Sequence, residues 1–246
     1  MGYERTKIDD NQKIMEIITR AVAIKNLKKH IGHDLRKLAL EHGITTYETG
    51  KQNKGWKGLV LERLAGLKTN VSKAPNGLTY ELKSVAFRTV KGELVPKETM
   101  AITMINPKEL KAHSFFESHC WAKLKTIIFC AVQWNGKNSE TGKLLKVTSL
   151  DFTEDDELIK EIKADYDLIR DKLITQGFEA LAGEDGKWIQ ARTKGAGHGS
   201  TSRAFYARTG LVKKIFLKLR HKTLWIFERL QIGLIKIKDY WRLFYF

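Results

Sequence analysis

Between positions 9 and 43 the apolar residues Ile14, Ile17, Ile18, Ala21 and Val22, then Leu27, Ile31, Leu35, Leu38 and Leu40, recur mostly at every third or fourth position. That interval predicts helices. A polar stretch over 45–54 follows. Leu59, Leu61 and Leu64 beside Glu62 then predict a short helix between Gly55 and Gly66, with Gly66 as its C-terminal stop. Turn formers fill 67–78, so a loop is expected there. From Thr79 the alternation in TYELKSVAF predicts a strand. β-Branched residues predict three more strands around 101–105, 126–133 and 144–150. Thr153 and Asp156 have the spacing of a capping box, and Leu158, Ile162, Tyr166, Ile169 and Leu173 mark one face of a helix stopping near Gly177. Helices, then strands, then a helix predict an α/β or α+β domain.

Composition narrows the class. In 246 residues, 42% hydrophobic content with 29% charged residues describes a folded chain rather than a disordered one. The longest run without a charge, 126–136, is far short of the roughly 20 residues a bilayer-spanning helix needs, so no membrane partner is expected. The opening segment has no apolar signal region, and Cys120 and Cys130 lie too far apart for a metal knuckle or redox pair. Cytoplasm is the expected compartment. A formal net charge of +16 calls for an anionic partner. From Thr209 onward, basic residues are mixed with large apolar ones. That region reads either as a helix and strand closing the core with snorkelling cations or as a surface facing nucleic acid or membrane.

Chemistry enters at Glu81 and Lys83. On a strand the period of two turns both to one face, and Tyr80 and Leu82 to the other. Phosphodiester hydrolysis needs a carboxylate-held divalent cation, an activated water and positive charge at the transition state. A Glu-x-Lys strand supplies part of that set, although alternating charges on a strand are usually a solvated face. Glu62 on the preceding helix and Pro75-Asn76 on the preceding loop change the balance, because they stand where nucleases of the PD-(D/E)xK type carry an acid and a Pro-Asp pair.

The chain resembles the MutH endonucleases, the mismatch-repair nickase together with its type II restriction relatives. Five blocks in order carry the resemblance: KGWKGLVLE (54–62), SKAPNGLTYELKSV (72–85), VPKETMAI (95–102), ESHCWAKLK (117–125), and ARTKG (191–195) joined with RAFYAR (203–208). It implies a restriction-endonuclease-like mixed central sheet flanked by helices, folded as a single domain over 1–246. We expect a two-lobed clamp, with catalysis in about 1–150 and DNA recognition plus the basic-aromatic tail in about 151–246. As catalytic residues it implies Glu62, Asn76, Glu81, Lys83 and Lys123. Mg²⁺ is the implied cofactor, held by Glu62, Asn76 and Glu81, while the lysines orient water and stabilise phosphate.

Asn76 stands where the family has a metal-binding aspartate, and the 72–81 loop is about three residues short of expectation. A neutral amide offers a carbonyl oxygen without charge, so cation affinity and water activation should fall. Either an engineered aspartate-to-asparagine change or a natural departure offset by Glu62 accounts for it. The resemblance further implies that Arg192, Lys194 and Tyr206 read the major groove of double-stranded DNA at a GATC-like site, with Arg208 a further candidate contact; Gly195, Gly197 and Gly199 around His198 read either as a backbone that approaches DNA phosphates closely or as a flexible surface loop. Such arginine or lysine contacts to guanine discriminate by about 1–3 kcal/mol each.

The expected activity is therefore a Mg²⁺-dependent type II restriction endonuclease, acting as a monomer or a transient dimer on DNA. The alternative is a catalytically inactive DNA-binding module of a restriction or repair system. A third reading, an RNA- or membrane-associated protein driven by its tail, predicts that removing residues 223–246 abolishes binding. His119 and Cys120 precede Lys123, but neighbouring residues on one element point apart, so a thiol nucleophile is not expected.

Overall fold

The computed structural model describes residues 18–48, 51–53, 55–67, 79–136, 142–194 and 201–217. Helix α1 (Arg20–Lys28) is capped by Thr19, and α2 (Leu35–Glu41) by Asp34, whose carboxylate accepts from the Arg36 amide at 2.9 Å. A two-residue-per-strand hairpin, β1 (Tyr47–Glu48) and β2 (Lys51–Gln52), occupies the polar stretch where no strand was expected. Helix α3 (Trp56–Ala65) ends as foreseen at Gly66, whose φ of +89° is the left-handed conformation that glycine adopts without steric cost.

Strand β3 (Glu81–Val90) turns back into β4 (Glu93–Pro96) through Lys91 and Gly92, both at positive φ, as a tight hairpin of two central residues requires. Then follow β5 (Met100–Met104), α4 (Pro107–Ala112), α5 (His119–Leu124), β6 (Thr126–Gln133) and β7 (Leu144–Asp151). The six-residue helices α4 and α5 are too short to show a periodic apolar face in sequence. Helix α6 is Glu157–Gln176, so its N-cap lies three residues beyond the expected Thr153. Residues 153–156 first make a turn, closed by the Asp156 amide on the Thr153 carbonyl at 3.2 Å, and Asp156 is the N-cap. Strands β8 (Ile189–Thr193) and β9 (Arg203–Ala207) and helix α7 (209–217) complete the described chain.

The main sheet has the order β4-β3-β6-β7, with β3 and β6 parallel and the other pairs antiparallel. A second, antiparallel sheet has the order β5-β9-β8. The period of two divides the main sheet into two cores. Val85, Phe87, Ile127 and Phe129 face α5, α6, the second sheet and the apolar side of α7, where Leu211, Val212, Ile215 and Phe216 are buried. Tyr80, Leu82, Ile128 and Cys130 face α1–α3, whose Leu27, Leu35, Trp56 and Leu61 cover them. This is a mixed α/β, restriction-endonuclease-like sheet flanked by helices. Among the described residues no helix is long and apolar enough to cross a membrane. The tail over 218–246 lies outside the described residues.

Candidate active site

Glu81 and Lys83 open β3 on the same face as Val85 and Phe87, at the end where that core stops. The parallel register sets Glu81 against Ile127 and Lys83 against Phe129. Helix α5 ends immediately before β6, so this register brings α5 to the Glu81 end of the sheet. Ser118 caps α5 by accepting from the Trp121 amide at 3.2 Å, and Cys120, Trp121 and Leu124 are its buried side. Lys123 is left on the side that meets Glu81.

The resulting cluster is tight. Lys83 Nζ lies 2.8 Å from Glu81 Oε1, and Lys123 Nζ lies 3.3 Å from Oε1 and 3.5 Å from Oε2. Lys83 also donates to the Ile102 carbonyl at 3.1 Å, tying β3 to β5 of the second sheet. Glu81 is 3% exposed. Burial lowers the Lys83 ammonium below the ordinary lysine range, Glu81 opposes that shift, and the like charges of Lys123 and Lys194 add to it. Lys83, Lys123 and Lys194 line one open cleft of about 620 Å³. Lys83 and Lys123 sit on the buried Glu81 carboxylate, and Lys194 and Glu109 add one charge of each sign to the cleft wall, so the lining is net positive and suited to stabilising charge on an anion's oxygens.

The second sheet carries the other sequence-predicted residues. Arg192, exposed on β8, donates to Thr99 Oγ1 at 3.3 Å and lies over the Tyr206 ring of β9 at 5.2 Å. Arg192 and Tyr206 are therefore one unit, and Lys194, two residues on, reaches the cleft. Arg208 donates through Nε to the Gly186 carbonyl at 2.9 Å and through Nη2 to those of Gly183 and Asp185 at 2.7 and 3.2 Å, which clamps the loop before β8. His198 and Asn76 lie outside the described residues. Glu62 is half-buried on α3, in the helix layer that covers the Tyr80 and Leu82 face of the sheet.

Comparison with known proteins bears directly on this cluster. The protein-family model for the DNA mismatch repair enzyme MutH matches residues 68–165, the span that holds Asn76, Glu81, Lys83 and Lys123. The DNA mismatch repair protein MutH of Escherichia coli O17:K52:H18 (strain UMN026 / ExPEC) is 26% identical over 180 residues, covering 72% of this chain and 76% of the relative. That of Shigella boydii serotype 18 (strain CDC 3083-94 / BS512) is 27% identical over 180 residues, with the same coverage. Over this span the chain is similar to the MutH-type endonucleases.

MutH-type endonucleases generally use a divalent metal, and the donor set can be tested against one. A hard divalent cation takes several oxygen ligands, carboxylates foremost. Glu81 is one such carboxylate, but both its oxygens face lysine ammonium groups. Among the described residues no three histidine, cysteine, aspartate or glutamate side chains are grouped to hold a metal. The described residues by themselves therefore do not make a Mg²⁺ site.

Neither cysteine is placed to act as a nucleophile. Both are buried, and desolvation raises the Cys120 thiol far above its ordinary value and pushes that of Cys130 up to about 12. Sequence reasoning missed Asp165. This buried carboxylate accepts from the backbone amides of Lys187, Trp188 and Ile189 at 2.7, 2.5 and 2.9 Å, setting the start of β8 and so the aim of Arg192 and Lys194. Its signal was an acid three residues after Ile162, beside the apolar face of α6.

Proposed function

We propose that this chain is a Mg²⁺-dependent, sequence-specific DNA endonuclease that hydrolyses phosphodiester bonds at a short GATC-like site in double-stranded DNA, in the service of restriction. The observation that carries the reading is the meeting of Glu81, Lys83 and Lys123 at one cleft of a chain similar to the MutH-type endonucleases. Lys83 and Lys123 hold the non-bridging oxygens of the scissile phosphate, and Glu81 keeps the two ammonium groups together against their mutual repulsion. Arg192 and Tyr206 face the bases as a stacked unit, and Lys194 joins that reading surface to the cleft. Arg208 contributes by holding the 183–186 loop, and His198 by a backbone contact to DNA. In this scheme the main sheet is the cleaving lobe and the part after about 151 the reading lobe, with DNA between them. The Mg²⁺ requirement rests on the resemblance alone, with Glu62, Asn76 and Glu81 as the ligands it implies; Glu62 and Glu81 by themselves do not make the site.

Plasmid carrying GATC sites, incubated with the full chain and increasing Mg²⁺, tests this. Cleavage confined to GATC, and lost in Lys123→Ala, is the expected result. Cleavage indifferent to sequence, or unchanged in Lys123→Ala, overturns it. Asn76 favours a second reading, a module that binds without cutting. Asn76→Asp decides: cutting gained marks a disabled enzyme, and continued inertness with site-specific binding marks the module. Restriction is proposed over repair because the 72–81 loop and the tail depart from the resemblance. It predicts that the chain alone cuts both strands of unmethylated GATC, whereas nicking of one strand only with added repair proteins marks a repair enzyme.

A further inference from the structure

One pair in the same cleft has no part in the scheme above. His119 opens α5 four residues before Lys123, so the two side chains stand one turn apart on the same side of the helix. Both line the cleft with Lys83 and Lys194. His119 Nε2 lies 3.5 Å from Glu109 Oε2, and both side chains are only partly covered. Glu109 is itself firmly placed. Asn106 caps α4 by accepting from the amides of Lys108 and Glu109 at 3.0 and 3.4 Å, Pro107 occupies the first turn, and Leu110 is buried. From α6, Arg170 donates to the Leu110 and Lys111 carbonyls at 3.0 and 2.7 Å, closing the other end of α4. A second recess of about 260 Å³ adjoins the cleft, and His119 and Glu109 stand on the wall between the two.

A carboxylate on one ring nitrogen orients an imidazole and directs its other nitrogen elsewhere. His119 lines the same cleft as Lys123, so a phosphate bound there lies within reach of its ring. Four residues of helix rise about 6 Å, a distance on the scale of one nucleotide step along a strand. We propose that His119, oriented by Glu109, grips the phosphate next to the scissile one and so sets the strand's register against Lys83 and Lys123. In the complex the protonated ring donates from Nε2 to Glu109 and from Nδ1 to the phosphate. His119 is a positioning residue, and the proposal rests on the endonuclease reading.

The test is a methylphosphonate scan. The full chain, His119→Gln, Glu109→Gln and Lys123→Ala are titrated in EDTA with GATC duplexes in which one phosphate at a time is made neutral, with affinity read by fluorescence anisotropy. Removing a charge-assisted contact is expected to weaken His119→Gln binding to the unmodified duplex by about tenfold. The wild-type chain should lose a similar factor at one methylphosphonate position. His119→Gln should no longer respond at that position, which lies one step from the position where Lys123→Ala no longer responds. Glu109→Gln should share the His119 position in weaker form, and His119→Arg should restore the response. A His119→Gln profile identical to wild type at every position overturns this proposal while leaving the endonuclease reading intact. Should His119→Gln not fold, an unaltered Glu109→Gln profile overturns it equally. A wild-type chain that binds no DNA overturns the endonuclease reading itself.

Discussion

Replacing Glu81 with glutamine removes the one negative charge between two ammonium groups while keeping the side chain's shape. At an effective dielectric of about 20, the 2.8 Å and 3.3 Å contacts amount to gross attractions of about 6 and about 5 kcal/mol. Most of this is offset by the desolvation of three charges and by repulsion between the lysines. The open cleft also lets the freed ammonium groups turn towards water. Removing one partner of a buried ion pair costs about 3–5 kcal/mol, and openness places this site at the lower end, about 3 kcal/mol at pH 7. For a chain of this size that is a fall in Tm of about 6–12 °C.

The deficit has a signed pH dependence. Lys83 already titrates below its unfolded value through burial, and losing Glu81 removes the influence that opposes this. Between the folded value and the ordinary lysine value near 10.5, the unfolded chain binds more protons, so stability rises with pH. The loss in Glu81→Gln should therefore shrink as pH rises towards 10. Urea unfolding followed by tryptophan fluorescence measures it, with an unchanged m-value as the check on two-state behaviour. Adding Lys83→Met to Glu81→Gln should recover part of the loss, because it removes one uncompensated cation. A Glu81→Gln variant within 1 kcal/mol of wild type at pH 7, or one whose deficit grows with pH, refutes the view that Glu81 holds this cluster.

Asp165→Ala leaves three amides at the start of β8 without their acceptor and should cost about 3 kcal/mol or more, with faster hydrogen exchange at Lys187, Trp188 and Ile189. Exchange unchanged at those amides refutes it. Lys194→Ala should weaken DNA binding and reduce the slope of log affinity against log salt by about 1, whereas an unchanged slope means that Lys194 touches no phosphate. Cys120 and Cys130, buried with raised thiol values, should resist iodoacetamide at pH 8 in the native chain and react in urea. Rapid native labelling of either would contradict their burial.

Local pattern was enough for much of this fold. The period of two in TYELKSVAF put Glu81 and Lys83 on one face before any strand was paired, and the bounds of β6 match the run of β-branched and apolar residues over 126–133. Gly66 ended α3 because a left-handed residue is a property of the chain itself. Short elements were less legible: β1, β2, α4 and α5 are each too brief to show a period, and Thr153 yielded to Asp156 as the start of α6. What local pattern could not contain was partnership. Lys123 meets Glu81, 42 residues away, because β3 and β6 pair in parallel, and that register is set by which apolar faces of the sheet become buried. Pairing of β5 with β9 likewise brings Lys194 to the cleft, and Asp165 holds the loop that aims it. Periodicity along a chain specifies which way each side chain faces, while the burial of distant apolar surfaces decides which charged side chains share a cleft.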